Sequence, residues 1–194
     1  MVAMAATKTS GIRPYAGVDA ADRRASRRAR LLEAGLDLLG ADLPQIAELT
    51  VRGICRQAGL TARYFYESFA DKDEFVSAVF DAVITDLALS TQALVNSAPA
   101  EEQTRVGIAN IVRTIAGDAR IGRLLFSAHL SNPVVVRKRV ESSALLAVLS
   151  GQHAGAVLHL PENDRIKAAA HFVVGGVAQT ISAWLAGDVR FDPG

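Results

Sequence analysis

The 194 residues include 50% apolar and 21% charged side chains, a composition that folds and that suffices for one substantial core or two modest ones. A formal net charge of +1 excludes a chain that gathers polyanions through its overall field, so any contact with nucleic acid has to be local. One cysteine, Cys55, excludes an intramolecular disulfide and a cysteine-based zinc knuckle; with no signal-peptide pattern and no unbroken apolar run of membrane-spanning length, a soluble cytoplasmic protein without membrane partners is expected.

Residues 1–20 contain Gly11, Pro14 and Gly17 among small side chains and read as a flexible basic arm. Positive charge is concentrated here: Lys8, Arg13, Arg23, Arg24, Arg27, Arg28 and Arg30 face only Asp19 and Asp22. Arg13 could enter a minor groove or stay solvated with the arm. From about Ala21 to Leu39 a first helix carries Leu31, Leu32, Leu36 and Leu39 on one face, and Arg24, Arg27 and Arg28 stand where they could meet phosphates or simply solvate its first turns.

Thr50 is a suitable N-cap for a helix over roughly Val51–Ala58 and a candidate DNA-binding residue, and Gly59 is a candidate for the left-handed residue that ends the helix. Cys55 falls among apolar neighbours and reads as a buried filler rather than a redox sensor. Thr61 then caps a short third helix, Ala62–Ser68. Two helices broken by a sharp glycine turn make a helix-turn-helix, in which the second helix reads the major groove. Arg63 is best placed to reach guanine O6 and N7, with Ala62 and Tyr64 beside it; Phe65 and Phe69, four apart, should turn inward, and Tyr66 could place its hydroxyl on a phosphate. Asp71 and Glu74 form a capping box for a long fourth helix reaching about Val95, and Lys72 in its first turn makes better sense opposite a phosphate than against the helix dipole.

Beyond Pro99 the pattern predicts helices over Glu101–Ala116, around Ile121–Phe126 and over Val134–Leu158, then a last one from Pro161 to about Ala186. Gly175, Gly176, Ala178 and Ser182 in that last helix permit close helix approach, which suits pairing across a two-fold axis through Val174, Gly175, Ala178, Ile181, Ser182 and Leu185; burial inside a monomer is the alternative. The expected architecture is all-α: a three-helix helix-turn-helix head over residues 21–70 and a larger helical body over 71–194.

The LLEAGLDLL, TVRGICRQAGL, TARYFYESF and DKDEF segments, in this order and spacing between Arg30 and Phe75, resemble the TetR family of bacterial transcriptional regulators. The ARYFYESF form is similar to a subgroup of actinobacterial members. The resemblance covers about a quarter of the chain, and the body agrees only in length, helical character and its apolar last helix. It implies that Thr61, Tyr66 and Lys72 hold phosphates while Arg63 and Tyr64 approach bases. The chain departs from the family pattern twice: Cys55 replaces the usual alanine, and Arg63-Tyr64 stand where Gly-Thr or other small residues are frequent, the second departure implying a distinct operator preference. It also implies a homodimer on a palindromic double-stranded DNA operator, usually repressing and released when a small molecule enters the body. Phe126, His129, Asn132, His153, Gln179 and Trp184 are the polar and aromatic candidates for lining that effector pocket, and an apolar pocket would suit a hydrophobic effector.

An enzyme is not indicated. His129, His153, His159 and His171 form no metal-binding spacing, and there is no glycine-rich phosphate loop or G-x-S-x-G elbow, so no catalytic residue, metal or cofactor is expected. A regulator without a ligand pocket, responding to a protein or acting architecturally, is the other alternative.

Overall fold

The computed structural model describes residues 15–42, 49–127, 129–158, 161 and 163–190, and among these it is helical with no strand. Helix α1 spans Tyr15–Leu39, α2 Val51–Ala58, α3 Ala62–Tyr66 and α4 Lys72–Ser97. After a 3-10 turn over Ala100–Glu102 follow α5 (Gln103–Gly117), α6 (Ala119–Phe126), α7 (Pro133–Leu158) and α8 (Asp164–Ala186).

Local chemistry fixes the ends of these helices. The Thr50 hydroxyl accepts from the Gly53 N–H at 3.0 Å, capping α2. Gly59 ends it at φ 62°, and Leu60 N–H returns to the Cys55 carbonyl at 2.9 Å, a closure that needs a residue without a Cβ penalty in the left-handed region. At α4 the Asp71 carboxylate accepts from Glu74 N–H at 2.8 Å, while Glu74 reaches back to Ala70 N–H, one residue before the cap itself.

Three boundaries differ from expectation. Helix α1 begins at Tyr15, so residues 15–20 join the helix; the alanine-rich sequence there outweighs the lone Gly17. Helix α3 stops at Tyr66, where Ser68 and Phe69 N–H groups both fold back onto the Phe65 carbonyl. Pro161 lies outside α8, whose cap is Asn163, its side chain accepting from Ile166 N–H at 3.0 Å.

One continuous apolar core runs from the head into the body. Leu31 and Leu39 of α1, Ile54 of α2, Phe65 of α3 and Phe75, Val76, Val79 and Phe80 of α4 are fully buried in it, and it continues through Leu124, Leu130 and Val135. Phe65, Phe69 and Phe75 form its aromatic centre, with ring centroids 5.2–5.5 Å apart in tilted and edge-on arrangements. Each such ring stabilises the head by about 1.5–3 kcal/mol through burial. Cys55 is buried in the same core, which pushes its thiol up and keeps it protonated, as a filler requires.

Head and body are also joined by polar contacts. The Arg120 guanidinium at the start of α6 bonds Asp118, Glu33 and Asp37, the last two on α1. Arg123 bonds the Gly40 carbonyl and pairs with Asp42. Arg139 of α7, half-buried, donates to the carbonyls of Arg123, Leu124, Ser127 and Leu130 and so closes the C-terminal end of α6. Lys138 ties α7 to Asp81 of α4 at 2.8 Å.

Against the expectation of no membrane-length segment, α4 and α8 are long and apolar enough by length and composition to cross a bilayer. Both pack in the bundle: α4 begins with Lys72, Asp73 and Glu74 and directs its buried phenylalanines and valines to the core, and α8 begins with Asp164, Arg165 and Lys167 and buries Ala170 and Ile181.

Candidate nucleic-acid interface

The buried side of α3 is Phe65, and its outer side is Ala62, Arg63 and Tyr66, all exposed. The Arg63 side chain is 84% exposed. Thr61 caps α3 from an extended backbone conformation (φ −95°, ψ 157°), and its exposed hydroxyl makes no capping bond. Tyr66 stands 61% exposed, its ring edge-on to Phe65 at 5.4 Å, so the core fixes its base while the hydroxyl end projects outward. Lys72 is exposed at the first position of α4, immediately after the Asp71 cap. Thr50, exposed as well, already uses its hydroxyl as the α2 cap.

The arginines of α1 divide. Arg24 is exposed. Arg27 lies with its guanidinium 4.4 Å above the Tyr64 ring, which draws Tyr64 toward α1 and leaves it only partly open to the reading side. Arg28, expected at a phosphate, has an intramolecular place: its guanidinium covers the Phe69 ring at 4.4 Å and bonds the Ser68 carbonyl at 3.2 Å, fastening the end of α3 to α1. Arg30 likewise bonds the Ala58 carbonyl at 2.7 Å and holds the helix-turn-helix corner. Arg13 lies outside the described residues.

Two groups escaped the sequence reading. Arg52 and Arg56, one turn apart on α2, are exposed on the side opposite Ile54 and Ala58. With Val51, Cys55, Leu60, Ala62 and Tyr66 they line an open hollow of about 550 Å³ between α2 and α3. Their i, i+4 spacing away from the apolar face was the available signal. Glu67 is the other: it accepts from Arg63 Nε at 2.9 Å and lies 3.8 Å from Arg27.

The candidate effector residues are not brought together. His129, His153 and Gln179 are exposed, and Asn132 is occupied as the cap of α7, accepting from Val134 and Val135 N–H groups. Phe126 and Trp184 are partly buried, and the Phe126 carbonyl accepts from Ser182 Oγ at 3.1 Å. Asn132 is thus a helix cap, and His129, His153 and Gln179 stand on outer faces.

The dimer expectation for α8 also needs correction. Ile181 is 3% exposed, Ser182 is bonded to α6, and Leu185 lies against Gly122, so Ser182 and Leu185 belong to the contact of α8 with α6 and Ile181 is buried within the protomer. Val174 and Ala178 are partly buried, while Gly175 and Gly176 face open space. Among the described residues no cluster of three His, Cys, Asp or Glu side chains could hold a metal ion.

No protein-family model and no curated protein matches the sequence. Solved structures do match along most of the chain. The fatty acid degradation regulator FadR of Bacillus halodurans is 16% identical, with a TM-score of 0.69 over 86% of this chain and 88% of its own. FadR of Bacillus subtilis, solved in complex with stearoyl-CoA, is 17% identical, with a TM-score of 0.64 over 85% and 90%. A TetR-like transcriptional regulator from Rhodococcus sp. RHA1 is 16% identical, with a TM-score of 0.64 over 86% and 87%. At this identity the likeness is one of fold: the chain has the architecture of the TetR-like regulators.

Proposed function

We propose, from this TetR-like fold, that the protein is a DNA-binding transcriptional regulator: a cytoplasmic homodimer that occupies a palindromic operator, represses from it, and is released by a small hydrophobic effector. The observation that carries the DNA reading is the exposed side of α3. A helix too short to contribute much packing is held rigidly by Phe65 and Phe69, yet presents Arg63 and Tyr66 outward beside the exposed Thr61 and Lys72. In this reading Arg63 reaches base edges, and Thr61, Tyr66, Lys72, Arg24 and the α2 pair Arg52 and Arg56 approach phosphates on either side.

The dimer reading rests on the apolar residues that α7 and α8 leave outside: Val140, Leu145, Val148, Leu149, Phe172 and Val173. The effector reading rests on the fold and on stearoyl-CoA as the ligand of one structural neighbour. A ligand that favours a head spacing unsuited to the operator weakens DNA binding by linkage.

Selection of bound fragments from the source genome by purified protein, followed by sequencing, tests the proposal. A palindromic site beside a promoter is expected, and its neighbouring genes narrow the effector class. Failure to enrich any sequence at low salt, from protein freed of bound small molecules by denaturation and refolding, sinks the DNA reading.

A further inference from the structure

We infer that Glu67 is a specificity-determining positioning residue: it aims Arg63 at a guanine, and Arg27 braces it from behind. The inference rests on the DNA-binding reading above and adds a residue to it. Glu67 follows α3 as its capping residue, and its carboxylate stands between two guanidinium groups. Oε1 accepts from Arg63 Nε at 2.9 Å, and Oε2 lies 3.8 Å from a terminal nitrogen of Arg27. Arg27 itself lies over the Tyr64 ring, its Cζ 4.4 Å from the centroid. Exposure rises along the chain of contacts, from 25% for the Arg27 side chain through 32% for Glu67 to 84% for Arg63. That is a brace at the base and a free tip.

The choice of atom matters. A guanidinium held through Nε keeps both terminal NH2 groups for the end-on fork that matches guanine O6 and N7. Without the carboxylate, a long exposed arginine samples many rotamers and can fall onto the nearest phosphate, where it adds affinity but no sequence information. An exposed i, i+4 pair is usually a minor helix-stabilising contact. Here the acid lies beside the exposed side of a helix that faces a polyanion, where its charge works against binding. Such a placement is explained if it directs a cation that would otherwise bind DNA indiscriminately.

The test compares operator preferences and salt dependence of full-length wild type, Glu67→Ala, Glu67→Gln and Arg63→Ala, using duplex libraries and one unrelated duplex. Wild type should prefer a guanine that Arg63→Ala no longer requires. In Glu67→Ala that preference should fall roughly tenfold. Binding to the unrelated duplex should strengthen at the same time, with a salt slope steeper by about one as Arg63 turns to phosphate. Glu67→Gln keeps an acceptor oxygen and should retain part of the preference. Thermal unfolding checks that the variants are folded. Full guanine preference in Glu67→Ala overturns the inference, as does uniform weakening on every sequence. An Arg63→Ala protein with an unchanged site overturns it too, while leaving DNA binding standing; a wild type that enriches no sequence removes the DNA reading and this inference together.

Discussion

At the scale of single residues, identical side chains on one helix have different work. Arg27 and Arg28 are neighbours, yet one lies over Tyr64 and the other over Phe69 with a bond to the Ser68 carbonyl. The sequence places both on the head but cannot say which ring or carbonyl lies opposite, because that depends on where α3 docks. Arg120 was silent for the same reason: its partners Glu33 and Asp37 are more than eighty positions away. The near partner, Asp118, gives a test of this junction. Its carboxylate accepts from Arg120 Nε at 3.0 Å and from a terminal nitrogen at 2.6 Å, which holds its pKa below the usual aspartate value. A depressed folded-state pKa contributes stability above the unfolded value near 3.9 and loses it as pH falls through the folded one. Asp118→Asn keeps the α6 cap oxygen and removes the charge. It should cost about 1 kcal/mol at pH 7, a modest figure because the pair is partly solvated, and the difference from wild type should narrow as pH falls below about 4 and close only below the folded-state pKa. Urea unfolding at both pH values reads this out, and a gap of equal size at each would rule out the charge as its source.

At the scale of elements, what repeats locally was legible and what depends on a partner helix was not. Thr50, Gly59, Asp71 and the inward pair Phe65 and Phe69 are where their spacing predicts, since caps, left-handed turns and helical faces are set within a few residues. The surroundings of the effector candidates and of the α8 face were not legible, because composition marks a helix as apolar without saying which neighbour covers which side. Gly35 illustrates the hidden term. It looks like a defect in the LLEAGLDLL helix, but a Cβ there would meet Val79 Cγ2 and stand 2.7 Å from Phe75 Cζ, so its absence lets α1 and α4 cross closely. Gly35→Ala gains about 1 kcal/mol of helix propensity but overpacks the crossing by roughly 1–3 kcal/mol. Net destabilisation of about 1 kcal/mol is expected in chemical denaturation. A stabilised variant would show that the crossing has room to relax.

At the scale of the whole molecule, the proposed dimer needs a surface that one copy leaves uncovered. The covered residues of α8 are used within the protomer, Ser182 and Leu185 against α6 and Ala170 beside Gly151 of α7, so the proposed interface uses the apolar residues left outside, among them Phe172 at 81%, Val140 of α7 at 67% and Leu145 of α7 at 59% exposure. Isolated exposed apolar residues are ordinary, but a run of them along two adjacent long helices is the usual mark of an interface. In a two-fold arrangement each substitution acts twice. Burying one phenylalanine is worth about 1.5–3 kcal/mol, so Phe172→Glu should raise the dimer dissociation constant by roughly a hundredfold or more. Sedimentation at micromolar concentration should then find monomer where the wild type is dimer. Operator affinity should fall with it, since a palindrome is held by two heads acting together, while the helical content of the protomer is little changed because Phe172 lies outside the buried core. A dimer that survives Phe172→Glu unweakened would move the interface to another face, and a wild type that sediments as monomer at operator-binding concentrations would remove the two-headed reading of the operator itself.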